Sequence, residues 1–241
     1  MSSITGFYGL KPTLEIIKFS KSIAIANKES IICGWNLIKK NLNKYKTKFI
    51  PVDSEHFSIW SLISDSKNEK FEKIYLTASG GPFRKYPLNK FKKITPKKAL
   101  KHPNWSMGKK ISIDSATMMN KGLELVETIW LFDVGMKDIE IVIHPESIIH
   151  SMVQFVDDSY KAHLGIPDMK IPIQYALSFP ERIMSNYGSL NFAEIGKFTF
   201  LKPDYLRYPA LELLTELITT GGNRIPIMSM ANDLIVDQFL N

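Results

Sequence analysis

The sequence predicts an α/β chain: an α+β catalytic domain with a mixed sheet, flanked by the tail of a Rossmann-like dinucleotide-binding domain and the start of a helical one. Three observations carry this expectation. Short apolar runs of strand character recur at residues 22–26, 48–52, 74–78 and 140–143. Between the first two runs, Ile31, Trp35, Ile38 and Leu42 mark the buried stripe of a helix, so strand, helix and strand form a βαβ pattern. Residues 151–165 alternate loosely around Asp157-Asp158-Ser159, the turn signal of a hairpin.

The elements follow in order. Residues 12–19 read as a short helix, and Ser30 as the N-cap of the helix that carries Trp35. Residues 53–56, Asp-Ser-Glu-His, read as the carboxyl end of the second strand; Ser79-Gly80-Gly81-Pro82 closes the third. Residues 83–110 are basic, rich in proline and without periodicity, which fits a lid or binding loop as well as a solvated excursion. A helix is expected near Ser112–Asp114, since Leu123, Val126, Ile129 and Trp130 recur at helical spacing beyond it. Residues 169–179 read as a short helix and 180–205 as a connecting arm. Further helices are expected over 210–218, stopped by Gly221-Gly222, and over 231–240. The expected domains are 1–52, the C-terminal part of a cofactor domain; 53–179, catalytic; 180–204, the arm; and 205–241, the first helices of a third unit.

Composition sets bounds. With 44% hydrophobic and 23% charged residues over 241 positions, the chain reads as globular. Its net charge of +7 is concentrated in residues 85–110, a patch that attracts anions. That patch has few stacking aromatics and matches no nucleic-acid module, so no nucleic-acid partner is expected. No apolar run is long enough to span a bilayer, and no membrane partner is expected. The single cysteine, Cys33, excludes an internal disulfide and fits a reducing compartment. The chain is expected to be incomplete at both ends.

Several polar constellations follow strands, where open α/β sheets bind ligands. Asp53 and Glu55, two apart in an extended chain, project to one side. With Glu124 they would give three oxygen ligands, a set that favours Mg²⁺ or Mn²⁺ over zinc. Taken alone, Asp-x-Glu reads better as an ordinary acidic surface turn. His56 adjoins as a neighbour of the ligands or a borderline one. Asn120, Lys121 and Glu124 share a helix face, and a helix start with hydroxyls and a lysine suits a phosphate. Lys28 is either a solvated turn lysine or a cation facing a substrate oxyanion. Trp105 is either docked on its own domain or covers a ligand. His144 and His150 read as core or hinge histidines, and Cys33 as packing.

Taken together, these stretches are more specific. Ala26-Asn27-Lys28-Glu29-Ser30, Pro51-Val52-Asp53-Ser54-Glu55-His56, Ser79-Gly80-Gly81-Pro82-Phe83, His102-Pro103-Asn104-Trp105-Ser106-Met107-Gly108 and the run from Asp114 to Glu124 resemble, in order and approximate spacing, the 1-deoxy-D-xylulose 5-phosphate reductoisomerase family. The resemblance implies a homodimeric enzyme of the non-mevalonate isoprenoid pathway. It would rearrange a phosphorylated sugar and reduce it with NADPH, in a bacterial cytoplasm or, alternatively, a plastid. It implies Asp53, Glu55 and Glu124 as ligands of Mn²⁺ or Mg²⁺, and Lys28, Glu55 and His102 as catalytic. Ser79, Ser115, Asn120, Lys121 and His102 would grip the phosphate, while Lys28, Ser54, Glu55 and Glu124 would meet the rest of the substrate. Asn27, Glu29 and Gly108 would lie on the cofactor side, with Trp105 and Met107 in a lid. The family's Gly-x-Thr-Gly-Ser-x-Gly loop has no counterpart here. A second reading is therefore a non-catalytic remnant that keeps metal and sugar-phosphate binding.

Overall fold

A computed structural model describes residues 1–63, 70–104 and 107–241. The first layer is a parallel pair, β1 (Ser22–Ile25) and β2 (Lys48–Pro51), preceded by α1 (Leu10–Ile17) and linked by α2 (Lys28–Tyr45). This is the expected βαβ unit, and Ile31, Trp35, Ile38 and Leu42 are all buried in its core with Ile17, Ile23 and Ile25. The N-cap of α2 is Asn27 rather than Ser30. The Asn27 carboxamide oxygen accepts the Ser30 N–H, so Ser30 lies one turn inside the helix.

After β2 the chain turns straight into α3 (Ser54–Ile63), so Asp53–His56 is a strand-to-helix junction and not an extended strand end. Asp53 caps it: its Oδ1 accepts the Glu55 N–H at 3.2 Å and its carbonyl accepts the Phe57 N–H at 2.8 Å. β3 (Phe71–Ala78) begins a second sheet. In that sheet β3 pairs in parallel with β4 (Ile139–Ile143) and antiparallel with β5 (Ile149–Phe155), which pairs with β6 (Tyr160–Leu164). The order is β4-β3-β5-β6, a mixed sheet, and β5–β6 is the expected hairpin.

The basic segment between β3 and the next long helices is partly folded. It contains a 3-10 turn at Leu88–Lys93 and the short α4 (Pro96–Ala99). Phe83 and Ala99 pack with Ile113, Ala116 and Val236 in a small core, which anchors the segment at both ends.

The expected single helix beyond Ser112 is two: α5 (Lys109–Thr117) and α6 (Met119–Phe132). They meet at Met118, whose φ of 62° is left-handed and closes α5. Met118 is a buried member of the core with Ala78, Ile143, Tyr208 and Leu211, and that packing outweighs its poor intrinsic fit to the left-handed region. Beyond the sheet come α7 (Lys170–Ser178), a mostly irregular arm with the short α8 (Phe192–Ile195), α9 (Pro209–Thr220) and α10 (Arg224–Leu240). The α10 helix starts well before residue 231, and Gly221 terminates α9 as expected. The arm returns to the sheet where Leu201 bridges Ile143.

Candidate functional site

The three predicted carboxylates converge. Asp53 arrives from the end of β2, Glu55 from the first turn of α3 and Glu124 from α6, yet one oxygen of each lies within 4.8 Å of the others. The first pair is brought together by the strand-to-helix junction rather than by strand alternation. Asn120 and Lys121 sit on the same face of α6 as Glu124. The Asn120 amide donates to Glu124 Oε1, and Lys121 Nζ pairs with Glu124 Oε2 and, at 3.0 Å, with Glu55 Oε1. Ser54 Oγ donates to Glu55 Oε2 at 2.6 Å.

Lys28 reaches the same cluster from the start of α2. Its Nζ is 3.3 Å from Asp53 Oδ2, 4.0 Å from Glu124 Oε1 and 2.6 Å from Glu127 Oε2. Glu127 was not singled out by sequence reasoning, although it lies three residues after Glu124 and therefore on the same helix face. It is 1% exposed, as is Glu124. Among the described residues, four carboxylates thus face two ammonium groups, an excess of two negative charges when all four are ionised.

The electrostatics follow from this crowding. Burial first, then repulsion by Glu55 and Asp53, pushes Glu124 up to about 8, with Lys121 and Lys28 only partly offsetting it. Enclosure also works against a charged Asp53, but Lys28, His56 and Lys121 outweigh it and hold its carboxyl below the ordinary range. Burial would lower Lys28; Asp53, Glu127 and Glu124 instead hold it well above the usual lysine value. His56 lies beneath the carboxylates. Its Nε2 is 3.0 Å from the Glu124 carbonyl oxygen and 3.2 Å from Thr128 Oγ1, which ties α3 to α6.

The cluster floors a cleft of about 1090 Å³, also lined by Ser79, His102, Met107, Gly108 and Ser115. Ser79 Oγ and His102 Nε2 are 2.9 Å apart. Gly81 has φ 63°, and a Cβ there would stand 2.7 Å from the Ser115 carbonyl oxygen, so its missing side chain lets the β3 turn close on α5. Glu29, Thr5 and Gly6 also line the cleft. Asn27 is buried and turned to its own backbone: its amide donates to the Ile4 and Gly6 carbonyls. Trp105 lies outside the described residues. His144 is fully buried, with its Nδ1 3.0 Å from the Thr199 carbonyl oxygen, and His150 is buried beside His163. Cys33 packs at the edge of the core formed by Ile32, Met119 and Leu123.

Three family models, all describing 1-deoxy-D-xylulose 5-phosphate reductoisomerase or its C-terminal domains, match residues 1–34, 49–132 and 164–241. The chain is 52% identical, over its full length, to the 1-deoxy-D-xylulose 5-phosphate reductoisomerase of Pelagibacter ubique, and 49% identical to that of Phocaeicola vulgatus. It spans 62% of the length of each. Among solved structures, it superposes with a TM-score of 0.90 on the Zymomonas mobilis enzyme in complex with NADPH, at 43% identity, covering all of this chain and 62% of that one. It superposes with a TM-score of 0.92 on a reductoisomerase in complex with NADPH, fosmidomycin and magnesium, at 41% identity, covering 99% of this chain and 61% of that one. Conserved identity along the whole chain, together with models that match most of it, shows that this chain belongs to the 1-deoxy-D-xylulose 5-phosphate reductoisomerase family.

Proposed function

We propose that the chain carries the metal and substrate site of an NADPH-dependent reductoisomerase. The reaction would convert 1-deoxy-D-xylulose 5-phosphate to 2-C-methyl-D-erythritol 4-phosphate, a step of the non-mevalonate isoprenoid pathway. One observation carries this reading: the Asp53, Glu55 and Glu124 carboxylates meet within 4.8 Å on the floor of a cleft whose wall holds Ser79, His102, Ser115, Asn120 and Lys121.

The donor set fits a hard divalent cation on two counts. It offers only oxygen, and once Glu124 gives up its proton the excess of two negative charges around it equals the charge such an ion would bring. When bound by Asp53, Glu55 and Glu124, Mn²⁺ or Mg²⁺ would act as a Lewis acid on a substrate carbonyl and its neighbouring hydroxyl. The rest is the work of this chain's own residues. Lys28, held charged by Asp53, Glu124 and Glu127, presents an ammonium to negative charge developing on a substrate oxygen. Ser54 and Glu55 contact the sugar's oxygens. The Lys121 ammonium, the Asn120 amide and the hydroxyls of Ser79 and Ser115 grip the phosphate beside His102. Met107, with Trp105, belongs to a lid that keeps water from the reducing step.

A cleft of about 1090 Å³ exceeds the room a five-carbon sugar phosphate fills, which supports a second ligand beside it. Glu29 and Gly108 line the end we assign to the nicotinamide, next to Asn27. The Zymomonas mobilis relative was solved with NADPH, and three further reductoisomerase structures contain magnesium. We read residues 1–52 as the end of a cofactor domain, 53–179 as catalytic, 180–204 as an arm and 205–241 as helical. The working form is proposed to be a homodimer in the cytoplasm. No helix among the described residues is long and apolar enough to cross a membrane.

The test is substrate-dependent oxidation of NADPH with Mn²⁺, followed by absorbance. Turnover that vanishes on chelation is expected. Binding of Mn²⁺ and phosphate without turnover would instead favour the non-catalytic reading.

A further inference from the structure

Asn104, in the lid segment, has no role in the site described so far, yet its bonds fix the chemistry of two residues that do. Its side-chain amide donates to the Pro145 carbonyl oxygen at 2.6 Å and to Ser147 Oγ at 2.7 Å. Those contacts pin the segment to the turn after β4, where Ser147 adopts a left-handed φ of 54°. Held there, the Asn104 backbone N–H donates to His102 Nδ1 at 3.2 Å.

A backbone N–H can only donate, so Nδ1 must offer its lone pair and the neutral ring must carry its proton on Nε2. That Nε2 faces Ser79 Oγ at 2.9 Å and therefore donates to it. The Gly81 N–H donates to the same oxygen at 3.1 Å. A hydroxyl oxygen has two acceptor positions and one proton to give. Both acceptor positions of Ser79 are filled, and its proton is left to point into the cleft it lines with Ser115, Asn120 and Lys121. An imidazolium would break this relay by setting an Nδ1–H against the Asn104 N–H; burial lowers the His102 pKa and favours the neutral ring.

We propose that Asn104 is a positioning residue: through the His102 tautomer it makes Ser79 a dedicated hydrogen-bond donor, selecting an acceptor-only anion such as a phosphate dianion at this end of the cleft. The choice of phosphate rests on the function proposed above; the tautomer does not.

Two measurements test it. In protein labelled with ¹⁵N-histidine, long-range ¹H–¹⁵N spectra at neutral pH are expected to show His102 Nδ1 as an unprotonated nitrogen and Nε2 as a protonated one, with His102→Gln assigning the signals. Titration calorimetry with inorganic phosphate then compares wild type, Asn104→Ala, Ser79→Ala and the double variant. Each single variant is expected to bind about tenfold more weakly, the loss of one charge-assisted hydrogen bond. The double variant is expected to be no weaker than Ser79→Ala, because Asn104 acts through Ser79. A protonated Nδ1 in wild type overturns the proposal. So does an Asn104→Ala loss that is equally large with and without the Ser79 hydroxyl. A wild type that shows the expected tautomer but binds no phosphate overturns the selection of anions and the phosphate assignment, and leaves the relay from Asn104 to Ser79 standing.

Discussion

Glu124 concentrates the electrostatic tension of the site in one side chain. It is 1% exposed, and its carboxyl is pushed up to about 8 by burial and by Glu55 and Asp53. Because that value lies above the 4.5 of a free glutamate, the folded chain holds this proton more tightly than the unfolded one. Its contribution is present in full below about 4.5 and is lost as pH rises through about 8. Glu124→Gln removes the penalty, so at pH 8 with chelator present its melting point is expected to exceed wild type, by up to a few kcal/mol in stability. The same variant should lose Mn²⁺ affinity by orders of magnitude in calorimetry. Equal Mn²⁺ affinity would show that Glu124 is no ligand. Glu127 differs: its 2.6 Å pair with Lys28 makes it the partner of a cation rather than a member of the acidic triad.

At the scale of elements, the break at Met118 decides the site. A continuous helix from Lys109 to Phe132 would keep one axis, whereas the left-handed turn lets Ser115 on α5 and Lys121 on α6 line the same cleft. Gly81 holds the facing turn. In Gly81→Ala, the added methyl meets the Ser115 carbonyl at 2.7 Å on a backbone of φ 63°. A loss of about 1–3 kcal/mol is expected in denaturant melts, accompanied by weaker phosphate binding. An unchanged melt would mean that the turn and α5 separate freely. The β5–β6 hairpin carries a pH signal. Burial, with His150 and Arg182 nearby, pushes His163 down to about 4 from 6.5. Between those values the unfolded chain binds a proton that the folded chain refuses, so stability falls as pH drops from about 6.5 to about 4. His163→Gln should flatten the dependence of melting temperature on pH in that interval; parallel curves for the two proteins would assign the effect elsewhere.

Across the molecule, the cleft joins regions that are remote in sequence: the end of the β1–β2 layer, the turn after β3, α6 and the last turns of α10. A cation bound to Asp53, Glu55 and Glu124 would therefore bridge three elements and bind the folded state alone. Mn²⁺ at about a hundred times its dissociation constant is expected to raise stability by about 2.7 kcal/mol, and chelation should reverse the shift in a thermal melt. A melting point indifferent to Mn²⁺ would argue that the carboxylates do not share an ion.

The sequence by itself determined the strands, the Trp35 helix, the hairpin and the residue types of the site, because these rest on local periodicity, turn chemistry and motif order: Ile31 to Leu42 are buried as their spacing demands, and Asp53, Glu55, Lys121 and Glu124 share one cleft. It also misread local detail. Ser30 lies inside the helix that Asn27 caps, and Asp53–His56 folds as a capped helix start, since either geometry satisfies the same short polar run. Only the tertiary structure decided that β3 leaves the first sheet for a mixed one, that Met118 splits a helical pattern in two, and that Glu127 and Asn104 join the site. Those outcomes depend on packing and hydrogen bonds between segments far apart in the chain, and no window of neighbouring residues records them.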